Sequence, residues 1–260
     1  MAKHQESAAK QAIRGLLLDA SESLQRGKLT YLGLPSEKAL DVRTLEPVLE
    51  NVICVEENKT ILDEARRSIA PMPFKVRRFE NFRMWEYLRD KYPAEPLVAD
   101  IAFLDFYGGG IVHEDPFALE IAGLRSFFAK HANSQNKTFI LGWTYMPRDK
   151  GPGVYLRACE KIIPSGELDL LRRSSGMWAR SVAIRLLLRQ SCDEHRMLAK
   201  IFHHAVFKNV MNAIVLVFSK GFDSKCKISL EDPKALLDAP VCVYDPKSTV
   251  PKMLPFPSLK

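Results

Sequence analysis

Apolar positions along this chain fall into short runs whose spacing alternates between helical and strand-like. From Glu6 to Gln25, the residues Ala9, Ile13, Leu16, Leu17 and Ala20 recur at helical intervals, and Gly27 ends the pattern. Leu29 to Gly33 then reads as a short strand that closes on a glycine. Leu34-Pro35-Ser36 turns the chain, and a short helix follows before Pro47. Asn51 to Glu56 is a continuous apolar run of strand length ending in acid. Asn58 is placed to cap a helix over Lys59 to Ile69, with Ile61, Leu62 and Ala65 on its apolar face. Phe74 to Phe79 alternates like a strand and leads into Glu80-Asn81, after which Phe82 to Tyr92 reads as helix. Val98 to Phe106 gives the strongest strand signal of the chain and ends at Asp105-Phe106-Tyr107, followed by Gly108, Gly109 and Gly110. A helix over Pro116 to Lys130 and a fifth strand over Thr138 to Trp143 complete this half.

Strands that do not alternate, separated by helices, predict a parallel sheet covered on both faces, with right-handed crossovers. The pattern changes after Tyr145. Residues 151–209 carry several helical stretches and no clear strand, while Ala213 to Phe218 and Val241 to Tyr244 read as closing strands. The expected organisation is an N-terminal helix over 1–27 and a Rossmann-like α/β domain over 28–150 and 210–246. A basic helical insertion over 151–209 follows strand five, and the tail over 247–260 is extended.

Composition narrows the chemistry. The net charge of +7 is compatible with a phosphate-rich partner. Cys54, Cys159, Cys192, Cys226 and Cys242 are odd in number, scattered and without a CxxC pair, which predicts reduced thiols and no structural metal. No apolar run approaches the ~18 residues of a membrane span. Met1 to Gln11 lacks the apolar core of a signal peptide, so the cytoplasm is the expected location.

In open parallel sheets, ligands bind at the carboxyl ends of the strands beside the switch in strand order. Gly33, Glu56, Glu80-Asn81 and Asp105-Phe106-Tyr107 end four successive strands here. A glycine lets backbone approach a ligand, and an acid after the second strand can accept both hydroxyls of a ribose. A polar pair can read an adenine amino group, and an acid with an aromatic ring can hold a reacting group. This order of features resembles the class I S-adenosylmethionine-dependent methyltransferases, over residues 28–145 and the closing strands. The resemblance implies that Gly33 shapes the S-adenosylmethionine pocket, Glu56 binds its ribose, and Glu80 or Asn81 contacts adenine. It also maps the Asp-Pro-Pro-Tyr motif of nucleic-acid amino methyltransferases onto Asp105-Phe106-Tyr107-Gly108, with Asp105 and Tyr107 as the catalytic pair. Two departures stand out: the first loop has Gly33 alone where the family carries two or three glycines, and both prolines are missing. No G-x-G-x-x-G, P-loop or G-x-S-x-G motif is present.

From Leu170 to Cys192 the chain has five arginines and no acid. Met177 to Gln190 reads as a helix, with Arg185 and Arg189 four apart and Arg180 near them, a stripe suited to a phosphate backbone. His195, His203 and His204 fall in a following helix-like segment and lack the carboxylate of a metal triad, and His113 lies near Asp105. The leading expectation is therefore a methyltransferase acting on a nucleic acid. The alternatives are a catalytically silent module that binds nucleic acid or a partner protein through this insertion, and a small-molecule methyltransferase whose arginines take an anionic substrate.

Overall fold

Every one of the five expected strands forms, and they build one half of a nine-stranded sheet in the computed structural model of the chain. The structure describes residues 8–105, 116–135, 138–145, 152–174, 176–207, 211–221, 223, 225–244 and 251–256. In chain order these hold α1 (Ala8–Glu22), β1 (Leu29–Gly33), α2 (Leu40–Leu45), β2 (Leu49–Val55), α3 (Lys59–Ile69) and β3 (Val76–Glu80). There follow α4 (Met84–Glu86), continued as a wider turn over Tyr87–Lys91, β4 (Ile101–Asp105), α5 (Pro116–Asn133) and β5 (Thr138–Tyr145). The second half holds α6 (Pro152–Cys159), α7 (Ser165–Arg173), α8 (Gly176–His195), β6 (Leu198–Phe207), β7 (Met211–Ser219), β8 (Val241–Tyr244) and β9 (Lys252–Leu254). Asn58 caps α3 as its side chain accepts from the N–H groups of Thr60 and Ile61.

The strand order is β3-β2-β1-β4-β5-β7-β6-β8-β9. Strands β1 to β5 are parallel, and β7 runs antiparallel between β5 and β6. The chain runs outward from β1 to β3 and returns to β4, so the order reverses between β1 and β4. The period-2 side-chain alternation divides the core. Tyr31, Ile101, Phe103 and Ile140 pack under α1 to α3. Leu104, Phe139, Leu141 and Trp143 pack under α4, α5 and the later helices. At the amino edge, Arg26 bridges Asp100 at 3.2 Å and Asp223 at 2.8 Å.

Helix α1 lies directly on the sheet because Gly142 of β5 has no side chain. A Cβ there would come within 2.8 Å of Leu17 on α1 and 2.9 Å of Phe103 on β4.

The expected helical insertion over 151–209 is corrected. Residues 198–207 are a strand, β6, paired to β7. Helices α6 to α8 are the crossover from β5 to β6, and they share one core with the sheet. Lys200, His203 and His204 interrupt the apolar pattern of β6, and a bulge between Ile201 and His203 shifts its register. His203 and His204 are accordingly on a strand and His195 ends α8, so they do not share a helical face. The tail adds β9, antiparallel to β8, and buries Phe256.

The arginine stripe is corrected too. Helix α8 is apolar nearly all round, with Ala179, Val182, Ala183, Ile184, Leu186, Leu187 and Leu188 all buried. Arg185 is 0% exposed. Its guanidinium donates to the carbonyls of Leu236 at 2.9 Å and Ala239 at 2.7 Å, and to His204 Nδ1 at 2.6 Å. The Phe256 ring covers it, with the centroid 3.5 Å from Cζ. Arginine only donates, so His204 Nδ1 accepts and its Nε2–H donates to the Tyr145 hydroxyl at 3.1 Å. The Tyr145 hydroxyl is then left to donate to Ser181 Oγ, 2.8 Å away. Burial, reinforced by the Arg185 charge, keeps His204 neutral, its pKa far below the usual histidine value. Burial also pushes Arg185 down to about 9 and Tyr145 up to about 12.

Gly142→Val forces α1 away from the sheet and lowers unfolding free energy in urea by about 2 kcal/mol, in the usual range of overpacking. Arg185→Met strands two buried acceptors and one half-buried one and costs about 3 kcal/mol by the same measurement, whereas Arg172→Ala, on the surface, stays within about 0.5 kcal/mol.

Candidate functional site

The carboxyl edge at the β1–β4 switch collects most of the residues singled out from the sequence. Gly33 ends β1 and pairs with Cys54 of β2 and Phe103 of β4, so it sits at the switch itself. Its lack of a side chain serves a neighbour. Tyr31, two residues back on the same face, folds across it, and a Cβ at position 33 would overlap the Tyr31 hydroxyl. Tyr31 is fully buried, and its hydroxyl has no hydrogen-bond partner among the described residues. Burial and then the nearby Asp41 carboxylate hold its pKa well above the ordinary phenol value. The loop beyond ends at Ala39, the residue before α2, in the left-handed region at φ 46.

Glu56, Glu80 and Asn81 come together at the ends of β2 and β3. The Glu56 N–H donates to the Glu80 carbonyl at 3.0 Å. The Asn81 side-chain amide donates to the carbonyls of Glu56 and Glu57, each at 2.8 Å, and so ties the two strand ends together. Glu56 Oε1 accepts from the Asn58 N–H at 2.8 Å, which fixes the carboxylate beside the cap of α3. Partial burial raises the Glu56 carboxyl above its usual range.

Asp105 ends β4. Its Oδ1 accepts from the Thr144 hydroxyl at 2.5 Å, across the β4–β5 register. Its Oδ2 is ion-paired with Lys10 of α1, and the two side chains are 11% and 18% exposed. One turn along α1, Arg14 is ion-paired with Asp41 of α2, at 5% and 4% exposure. Neither Lys10, Arg14, Asp41 nor Thr144 stood out in the sequence. Two cations four apart on an alanine-rich helix were the available signal. A cleft of about 420 Å³ opens beside the Arg14–Asp41 pair, lined by Gln11, Arg14, Gly15, Leu40, Arg43 and Thr44. Tyr107, Gly108 to Gly110 and His113 lie outside the described residues.

The three arginines assigned to a nucleic acid do not form an exposed stripe. Arg185 is inside the core. Arg180 is ion-paired with Glu120 of α5 at 2.9 Å, and Arg189 with Glu167 at 3.0 Å and Asp193 at 3.6 Å. Fully buried, Arg185 reaches no phosphate. Among the described residues no cluster of three or more His, Cys, Asp or Glu could hold a metal, and no helix is long and apolar enough to cross a membrane.

No family model and no curated protein matches the sequence. Solved structures do match the fold. An O-methyltransferase from Bacillus cereus, solved with S-adenosylhomocysteine, is 13% identical over 84% of each chain, with a TM-score of 0.50. The O-methyltransferase TomG from Streptomyces achromogenes, solved with S-adenosylmethionine, is 11% identical over 85% of this chain and 84% of that one, with a TM-score of 0.46. Read with the strand order and the reversed β7, the match to the first of these establishes that the chain has the fold of the class I S-adenosylmethionine-dependent methyltransferases.

Proposed function

We propose that this protein is an S-adenosylmethionine-dependent methyltransferase. The observation that carries the reading is the meeting of Glu56, Glu80-Asn81 and Asp105 at one edge of the sheet, beside the switch point. The residues present fit the cofactor. Glu56 has one oxygen anchored by the Asn58 N–H and a second to offer ribose hydroxyls. Glu80 and the Oδ1 of Asn81 are the acceptors available to an adenine amino group. Gly33 shapes the floor of the site indirectly, by making room for Tyr31.

When bound, S-adenosylmethionine supplies a methyl group already activated by the sulfonium. The remaining work is alignment and exclusion of water. Asp105 accepts one hydrogen bond on each oxygen from within the fold. A carboxylate offers about four lone-pair positions, so it keeps capacity for the N–H of an amino acceptor. Tyr107, two residues on, is assigned the stacking role by the family pattern.

A nucleic-acid acceptor is the substrate class we assign. The net charge of +7 supports it, and its footprint moves away from α8. Arg43 is exposed, lines the cleft beside α1, and donates only to the neutral acceptors Lys38 O, Ser68 O and Ser68 Oγ. Its positive charge is therefore available to a phosphate, with Lys38 exposed nearby.

Calorimetry with S-adenosylhomocysteine tests the cofactor reading. Glu56→Ala is expected to weaken binding by about 10- to 100-fold, the worth of a charged hydrogen bond. Asp105→Ala is expected to retain that affinity while methyl transfer falls at least ~100-fold. Absence of heat from the wild-type protein at millimolar ligand rejects the methyltransferase in favour of a silent binding module. For the acceptor, affinity for a mixed-sequence RNA or DNA oligonucleotide should fall as salt rises. Arg43→Ala should lower both the affinity and the salt slope, the slope by about one phosphate's worth. A salt-independent affinity contradicts a nucleic-acid acceptor.

A further inference from the structure

We propose that α1 completes the site, and that Lys10 is the positioning residue that aims the Asp105 carboxylate and restricts it to neutral N–H donors. The inference rests on the methyltransferase reading above and adds a residue and a substrate preference to it.

The geometry is a compact charge cluster at the carboxyl edge of β1 and β4. Asp105 meets Lys10 from α1 and the Thr144 hydroxyl from β5. Asp41 meets Arg14, one turn further along the same helix. The Tyr31 hydroxyl lies within the electrostatic reach of Asp41, Asp105 and Arg14, and Asp41 within that of Asp105 and Lys10. Two cations thus face two carboxylates around a buried phenol. Helix α1 is set against this edge by packing on the sheet, where Leu17 fills the space left by Gly142. Lys10 is therefore delivered to Asp105 by a rigid element and not by a loop.

One bond on each oxygen fixes both the plane and the direction of the Asp105 carboxylate, and these bonds set which lone pairs remain. Thr144 alone would leave the group free to turn about its own axis. Lys10 also cancels the charge that Asp105 would present to a ligand. A carboxylate already paired with an ammonium gains little from a second cation, while it still accepts from a neutral N–H. An exocyclic amine of a nucleobase is such a donor, and a protonated alkylamine is not. Lys10 is thereby a specificity determinant against alkylammonium acceptors.

The test uses the full chain, S-adenosylmethionine with a labelled methyl group, and two acceptors: a mixed-sequence oligonucleotide and a lysine-rich peptide. Lys10→Met is expected to lower kcat on the oligonucleotide by about 10- to 100-fold, the effect of a misplaced acceptor. Affinity for S-adenosylhomocysteine should be unchanged, and the ratio of peptide to oligonucleotide turnover should rise. Lys10→Arg should restore most of the turnover, and added methylammonium should partly rescue Lys10→Ala. Unchanged kcat in Lys10→Met, or a loss that neither arginine nor methylammonium repairs, overturns the proposal. Failure of the methyltransferase reading shows separately, as absence of S-adenosylhomocysteine binding by the wild-type protein. A double-mutant cycle of Lys10→Met with Asp105→Asn on unfolding then still reads the pair itself, and zero coupling overturns it without reference to activity.

Discussion

The Lys10–Asp105 and Arg14–Asp41 pairs hold four charges at the edge of the sheet with none of the side chains more than 18% exposed. Removing a charge from water costs more than most single contacts return, so such a group persists only with a partner and well-placed hydrogen bonds. For Asp41 the cost of burial outweighs the pull of Arg14, and its carboxyl lies above the usual range. The same constraint governs the rest of the fold. Arg26 is shared between Asp100 and Asp223, Arg180 is turned to Glu120, and Arg185 is spread over two carbonyls, an imidazole and an aromatic face. Arginines that look available in a sequence are in this way turned inward, whereas Arg43 at the surface faces neutral acceptors.

The parts of the structure that were legible in the sequence are those fixed by local pattern. Strands β1, β2, β4 and β5 are short apolar runs bounded by turn residues, β3 shows instead as an alternating stretch, and the Asn58 cap depends only on the three residues that follow it. Strand β6 was not legible, because Lys200, His203 and His204 break its pattern and a bulge shifts its register. Helix α8 is legible as a helix, but the burial of its arginines is not. The groups that bury Arg185 come from residues 236, 239 and 256, far along the chain. Lys10 was missed for the same reason, since its partner lies 95 residues away.

Gly33 marks the boundary between these two kinds of information. A glycine ending the first strand of such a sheet reads as an approach for a ligand, and Gly33 sits at the switch point between β1 and β4. The identity of the glycine is nevertheless explained by Tyr31, whose ring fills the space a Cβ would take. A single glycine in the loop then satisfies the packing. Further glycines would be needed only where backbone itself lines a ligand, so in the proposed site the sparse loop would alter the shape of the pocket.

Strand β5 shows how one edge serves both faces. Thr144 turns its hydroxyl to Asp105 on the α1 face, while Tyr145, the next residue, turns to His204 and Ser181 on the α8 face. Successive side chains on a strand point to opposite sides, so the last two residues of β5 are tied from above and below. One tie ends in an ion pair carried by the first helix, and the other in a buried guanidinium closed by the C-terminal Phe256. Because the ties run into α1 on one side and into β6 and α8 on the other, the end of β5 is held from both layers, and Asp105 with it. A carboxylate supported in this manner has little freedom to turn, and in the proposed methyl transfer that is the property in-line alignment of an acceptor would require.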